Sequence, residues 1–519
     1  MKFSKIKIIA FILTIIMLCA LALNIIGCGN GDSGNDNDGN TTVANNENGD
    51  GGSNDDAKEN DANTEKSDNS IEARPDYDLP EKDFGNYDFR IISRSESANL
   101  HWWNYDISAE GETGDPINDA VFQRNQKIEE KYNITITNIP DSAVGSKAAR
   151  SIKAGSDDYD LVVIGLRDGQ DNLINSGYLM DLHSMPYVDL SKPWWDQKAT
   201  EQLSIYDKLF ATSCDLTIRD KDAIIILMFS KTLLKDNQLE DPYQLVLSGK
   251  WTLDKMFDMM KTVSKDLNGD GKMDDEDQYG LISQLRHSQY FYNAAGEYIS
   301  KLNADNIPEI TMYNERAVEI CEKIGAMQGD KNYSICADEY NGKYADVWDD
   351  FQVPLFAENR ALFYHAGMNR VTLLRTMETD FGILPPPKFE ESQTNYYVAV
   401  DAWCTSAVSV PITAEDKDRS GLILETLAYE SRYILLPAYY DINLKTKFAR
   451  DEESREMIDI ILTNRLYDLG DMYYWGSATS YFEDLSRGKG GSLVTYWEKN
   501  SSKIESAMQK TLDKLSALD

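Results

Sequence analysis

The run NITITNIPDSAVGSKAARSIKAGSDDYDLVVIG, Asn133–Gly165, decides the fold class. Its opening residues alternate between apolar and polar, the period of a half-buried strand. The stretch that follows has helical composition and stops at Gly155. Tyr159–Gly165 is then a short β-branched apolar run, which reads as a strand buried on both faces. Strand, helix and buried strand in that order build a parallel sheet. Upstream, YDFRIIS (Tyr87–Ser93) predicts another strand. Asp115–Tyr132 predicts a helix with an Asp/Asn-rich start and Val121, Ile128 and Tyr132 at helical spacing. Downstream, AIIILMFSKTLLKDN (Ala223–Asn237) opens on a further buried strand. WTLDKMFDMMKTVSKDL (Trp251–Leu267) predicts an amphipathic helix with Leu253, Met256, Met260 and Val263 on one face, and Trp251 at its head reads as packing. Helices are expected over Glu315–Met327, Gly421–Ala428 and Ser454–Thr463. The proline run in FGILPPPK (Phe381–Lys388) cannot continue a helix and marks a connection between structural units soon after it. The fold class is α/β, and 519 residues are more than one core would use.

The first thirty residues belong to no such unit. Lys2, Lys5 and Lys7 precede an apolar run from Ile8 to Ile26, which ends at Gly27-Cys28. A small residue before that cysteine resembles the lipobox of bacterial lipoproteins, in which the cysteine is acylated and becomes the new N-terminus. An uncleaved membrane-spanning helix is the alternative. Leu18-Cys19 fits the lipobox poorly, because Leu18 is bulky. From Gly29 to about Ser70 the chain is Gly, Asn, Asp, Ser, Thr and Glu with almost nothing apolar, and it reads as a polar tether. A flexible chain of that length has a mean reach of roughly 35 Å.

The formal net charge is −35, and loss of the three leader lysines takes it to −38. So acidic a surface repels phosphate backbones, which argues against nucleic acid as a partner. Cys214, Cys321, Cys336 and Cys404 form no zinc-like cluster; Cys321 and Cys336 either pair or, like the others, are lone buried thiols. The four histidines are scattered, and no HExxH, GxSxG or Walker-type loop is present.

DLNGDGKMDDED, Asp266–Asp277, concentrates oxygen donors. Asp266, Asn268, Asp270, Lys272, Asp274 and Asp277 fall at positions 1, 3, 5, 7, 9 and 12 of an EF-hand-like register, with Gly271 at the turn position 6. Lys272 would lend its backbone carbonyl and face outward. Asp277 departs from the usual bidentate Glu, and Glu276 or Asp275 could stand in for it. The reading is a structural calcium site; a solvated acidic turn is the alternative.

Taken in order, GDPINDAVFQRN, AGSDDYDLVV, YVDLSKPWWDQ, GKWTLDKM, NGDGKMDDEDQYGL, ALFYHAG, DFGILPPPKFEESQTNYYV and LETLAYESRYILLPAYYDINLKTKFARDEESREMIDII resemble extracellular solute-binding protein family 1. This is the carbohydrate-type group of ABC-importer lipoproteins. The resemblance implies a bilobed, periplasmic-binding-protein-like fold of type II, two α/β lobes with a ligand cleft between them. It places residues 1–27 in a lipoprotein signal and 28–76 in the tether. Residues 77–215 with 390–445 would form one lobe, and 216–389 with 446–519 the other. It also implies a monomer that is not an enzyme, held at the outer face of the cell membrane through Cys28. Its partners would be a carbohydrate, most simply an oligosaccharide, and the subunits of a permease.

Sugars bind aromatic platforms edged by planar polar groups. Trp102 and Trp103 follow the first strand, where a crevice-lining loop belongs. Trp194, Trp195, Tyr364, Arg370, Trp403 and Trp475 complete the candidate ligand-binding set, with Asp106 and Asp196 as further hydroxyl partners. Each has a packing or salt-bridge alternative. The rival functions are a lipid-anchored glycan-active enzyme, a binding protein for a non-sugar solute, and presentation of ligand to a membrane sensor.

Overall fold

The computed structural model describes residues 74–97, 101–374, 377–378, 380–446 and 452–518. The leader, Cys28 and the tether lie outside the described residues. No helix among the described residues is long and apolar enough to cross a membrane.

Two sheets that share no strand form the two lobes. In chain order the strands are β1 (Tyr87–Arg94), β2 (Ile134–Asp141), β3 (Leu161–Gly165), β4 (Ile225–Ser230), β5 (Tyr279–Ser283), β6 (Ser334–Cys336), β7 (Ala361–Gly367), β8 (Phe381–Leu384) and β9 (Ser406–Ser409). The first sheet runs β9-β3-β1-β2. β1 pairs in parallel with both β2 and β3, and β9 returns antiparallel with Ser406 opposite Gly165. The second sheet runs β8-β4-β7-β5-β6. β5 is parallel to β6 and β7, while β4 is antiparallel to β7 and β8. β3 and β4 are buried at every position, which explains their unbroken apolar sequence.

The helices begin where the sequence supplies caps. Asp115 accepts from the Ile117 and Asn118 N–H groups, Pro116 follows, and Pro116–Tyr132 ends at Asn133 in the left-handed conformation. Leu253–Val263 starts at Thr252 and buries Leu253, Met256, Met260 and Val263, the predicted face. It lies so close to β5 that a Cβ on Gly280 would meet Met260 at 2.3 Å. Trp251 is fully buried and donates to the Pro385 carbonyl. All four described cysteines are free and buried.

The chain passes from the first sheet to the second through Asp215–Asp222, buried throughout. Its charges are matched in place: Lys221 meets Asp215 at 2.7 Å and Asp220 at 2.9 Å, and Arg219 meets Asp222 at 2.8 Å. Buried charges persist only when paired in this way. The chain comes back between β8 and β9. Lys417–Tyr433 then packs on Pro116–Tyr132 in the first lobe, and Glu452–Thr463 packs on β8 in the second.

Candidate functional site

The loops at one end of both sheets face each other across a cavity of about 320 Å³. His101 and Trp102 follow β1, Arg167 follows β3, and Asp401, Trp403 and Cys404 precede β9. From the second lobe come Gln284, Arg286, His287 and Tyr290 after β5, Asp338 after β6, and Asn369 and Arg370 after β7. The carboxyl ends of parallel strands are where α/β folds place ligands, because the loops there diverge and leave backbone and side-chain dipoles unpaired. Trp403, in its lining, is 45 % exposed.

A larger compartment, about 990 Å³, adjoins the first and shares His101, Asn369 and Arg370 with it. Trp103 and Tyr105 stand in it with ring centroids 5.4 Å apart. The two compartments meet at a bridge between the lobes. His101 Nε2 is 2.8 Å from Asp346 and its Nδ1 is 3.7 Å from Asp349, while Arg370 holds the other oxygen of Asp349.

Several charged groups line the walls. Arg286 lies between Asp401, at 3.5 Å, and Asp471. Burial alone would raise the Asp401 carboxyl, but Arg286 and the Trp403 N–H bring it below the usual range. Burial drives His287 down to about 3, so it presents a neutral imidazole. Its Nδ1 accepts the Gln284 N–H at 3.3 Å. Asn369 Oδ1, Trp348 Nε1 and Arg286 Nε are buried and have no hydrogen-bond partner among the described residues. Buried polar atoms without partners are costly, and at a cleft wall they are the atoms a polyhydroxylated ligand would satisfy.

Of the residues proposed from sequence, Trp102, Arg370 and Trp403 line the inner cavity and Trp103 the outer one. The others do not. Trp194 and Trp195 are buried and donate their indole N–H groups to Glu425 at 2.8 and 2.9 Å. Tyr364 is wholly inside β7 among sheet residues, its hydroxyl 3.5 Å from Gln352. Trp475 is buried against Tyr473 and donates to Thr511. Asp106 is spent on the Ile218 N–H, and Asp196 caps the helix Gln197–Leu203 and pairs with Arg465. Sequence reasoning missed Arg167, Arg286, Asp338 and Asn369. The strand-end rule that selected Trp102 would have selected Arg167 too, had it been applied after YDLVVIG.

The acidic loop lies elsewhere. It enters β5 at Tyr279, the end opposite the cavity. Asp266 accepts from the Gly269 and Gly271 N–H groups at 2.6 and 2.8 Å, Asn268 from Asp270 at 2.9 Å, and Asp270 from Lys272 at 2.8 Å. Gly271 has φ +80, a conformation only glycine adopts freely. This first half suits an oxygen-ligated cation, since each oxygen keeps a second lone pair. Asp277, fully buried, ties the loop ends through the Leu267 and Asp274 N–H groups, both at 2.9 Å. Asp275, the stand-in donor considered from sequence, pairs with Lys343 and accepts from the Tyr344 hydroxyl.

Two α/β lobes with a ligand-sized cleft at the strand ends define the class: the bilobed solute-binding fold. Solved structures share it across nearly their whole length. UgpB from Mycobacterium tuberculosis in complex with glycerophosphocholine is 13% identical, covers 83% of this chain and 99% of its own, and superposes with TM-score 0.53. A cyclo/maltodextrin-binding protein complexed with maltotetraose is 15% identical over 83% and 96%, TM-score 0.51. The cyclic alpha-maltosyl-1,6-maltose binding protein of Arthrobacter globiformis is 13% identical over 84% and 99%, TM-score 0.51. No family model and no curated relative matches the sequence.

Proposed function

We propose that this protein captures a carbohydrate outside the cell and passes it to the permease of an ABC importer. The observation that carries the reading is the cleft itself. Trp102 and Trp403 line it from one lobe, while Asn369, Arg370 and Asp338 line it from the facing lobe and bring hydrogen-bonding groups. A ligand that touches both walls favours the closed arrangement of the lobes, and that differential contact is what signals occupancy to a partner. Neighbours of the same fold bind maltotetraose and glycerophosphocholine, which supports a polyhydroxylated solute.

The test is titration with a glycan panel, followed by tryptophan fluorescence and calorimetry. Trp403→Ala should weaken binding of the responding glycan about tenfold, the loss of about 1.4 kcal/mol of ring contact. Stability should hardly change, because the indole is half exposed. Undiminished affinity would remove Trp403 from the site, and steady release of cleaved sugar would favour the enzyme reading instead.

Two accessory features belong to the same proposal. Cys28 is the lipid attachment point, so Cys28→Ala should shift the protein from the membrane to the soluble fraction; retention at mature size would refute acylation. The loop from Asp266 to Asp277 holds calcium, on the strength of its donor register and the Gly271 turn. Calcium should then raise the melting temperature of the wild type, and Asp266→Ala should abolish that rise while matching the wild type in chelator. Equal wild-type melting with and without calcium would leave only an acidic turn.

A further inference from the structure

Arg167 stands on the wall of the cleft contributed by the first lobe, just beyond β3. Aromatic rings hold its guanidinium: the Tyr474 centroid is 3.8 Å away and that of Trp403 5.6 Å. Its nearest carboxylate oxygen, on Asp471, lies at 3.9 Å, beyond hydrogen-bond reach, and Arg286 already engages that same oxygen. Among the described residues the Arg167 guanidinium donates no hydrogen bond; only its backbone N–H does, to Ala402. The other arginines of the inner cavity are matched: Arg370 by Asp349, and Arg286 by Asp401 and Asp471. Asp338 belongs to the facing wall, where it accepts the Leu285 N–H at 3.0 Å.

A guanidinium covered by closing lobes loses water and needs both acceptors and a counter-charge. Neutral hydroxyls supply acceptors alone. A carboxylate or phosphate supplies both, in the planar two-point geometry that suits the Arg fork. The flanking rings fix the fork in advance, so little freedom is lost on binding. We propose that the captured solute carries an oxyanion, a carboxylate or a phosphate on the sugar, and that Arg167 selects it. This inference rests on the sugar-capture reading above.

Calorimetry of the full chain against uronate oligosaccharides, neutral oligosaccharides of the same linkage and the corresponding sugar phosphates tests it. The acidic member of a matched pair should bind at least tenfold more tightly than the neutral one. Arg167→Gln should bring that ratio close to one, and Arg167→Lys should restore only part of it. A stronger response to the phosphates than to the uronates assigns the oxyanion to phosphate. Neutral glycans that bind as tightly as acidic ones, with Arg167→Gln without effect on the ratio, overturn the oxyanion and leave sugar capture standing. No glycan of any class binding to folded protein overturns both.

Discussion

Trp475→Ala should cost about 3–5 kcal/mol of folding stability and leave the affinity of the folded fraction unchanged. The indole is only 3 % exposed. It lies flat on Tyr473, with centroids 4.9 Å apart and planes 7° off parallel, and its Nε1 donates to Thr511 Oγ1 at 3.0 Å. Gly476 next to it takes φ +58 and presses on the helix Leu493–Leu515, where a Cβ would meet Ile504 Cα at 2.7 Å. So tight a joint cannot collapse to fill the void left by an indole, and the cavity term adds to the lost burial. Urea denaturation and calorimetry on the one variant separate the two roles. Near-native stability with weakened ligand binding would return Trp475 to the cleft, beside Trp403, for which the opposite result is expected.

Glu425→Ala should be as damaging, by about 3–5 kcal/mol, without touching the cleft. The carboxylate is fully buried and accepts from Trp194 Nε1 at 2.8 Å, Trp195 Nε1 at 2.9 Å, the Tyr77 hydroxyl at 2.9 Å and the Asp189 N–H at 3.3 Å. Truncation leaves these donors inside the protein with nothing to accept them, and each such loss costs about 1–3 kcal/mol. Glu425→Gln keeps the shape and one carbonyl oxygen but turns an amide toward a donor, so it should recover part of the loss. A change below about 1 kcal/mol for Glu425→Ala would mean that the rings find other partners. Tyr77 takes part as well, its ring 4.7 Å from that of Trp194, so the same carboxylate pins the start of the described chain to the first lobe.

The two aromatic pairs show what could be read in advance. Trp102-Trp103 and Trp194-Trp195 look alike as dipeptides, and nothing local distinguishes them. Both were candidates for the cleft; only the first pair reaches it. Glu425 lies more than two hundred positions beyond Trp194, so the acceptor that draws those indoles inward is invisible to any window of sequence. Trp251 was legible as packing because it stands just before the cap Thr252 of an amphipathic helix. Arg167 and Arg286 looked like two of many charges until the sheets set them beside Tyr474 and Asp401.

By itself the sequence determined the α/β class, the order of strands and helices from Tyr87 to Gly165, and the buried face of Leu253–Val263. Each of these rests on periodicity and capping, which act over a few residues. It also determined the excess of negative charge and the donor spacing of the acidic loop. Only the tertiary structure decided which rings line the cavity. The cleft is assembled from the ends of strands that are distant in the chain, and whether a ring is a platform or a core residue depends on which partner closes over it. Burial and hydrogen-bond satisfaction are properties of that closure.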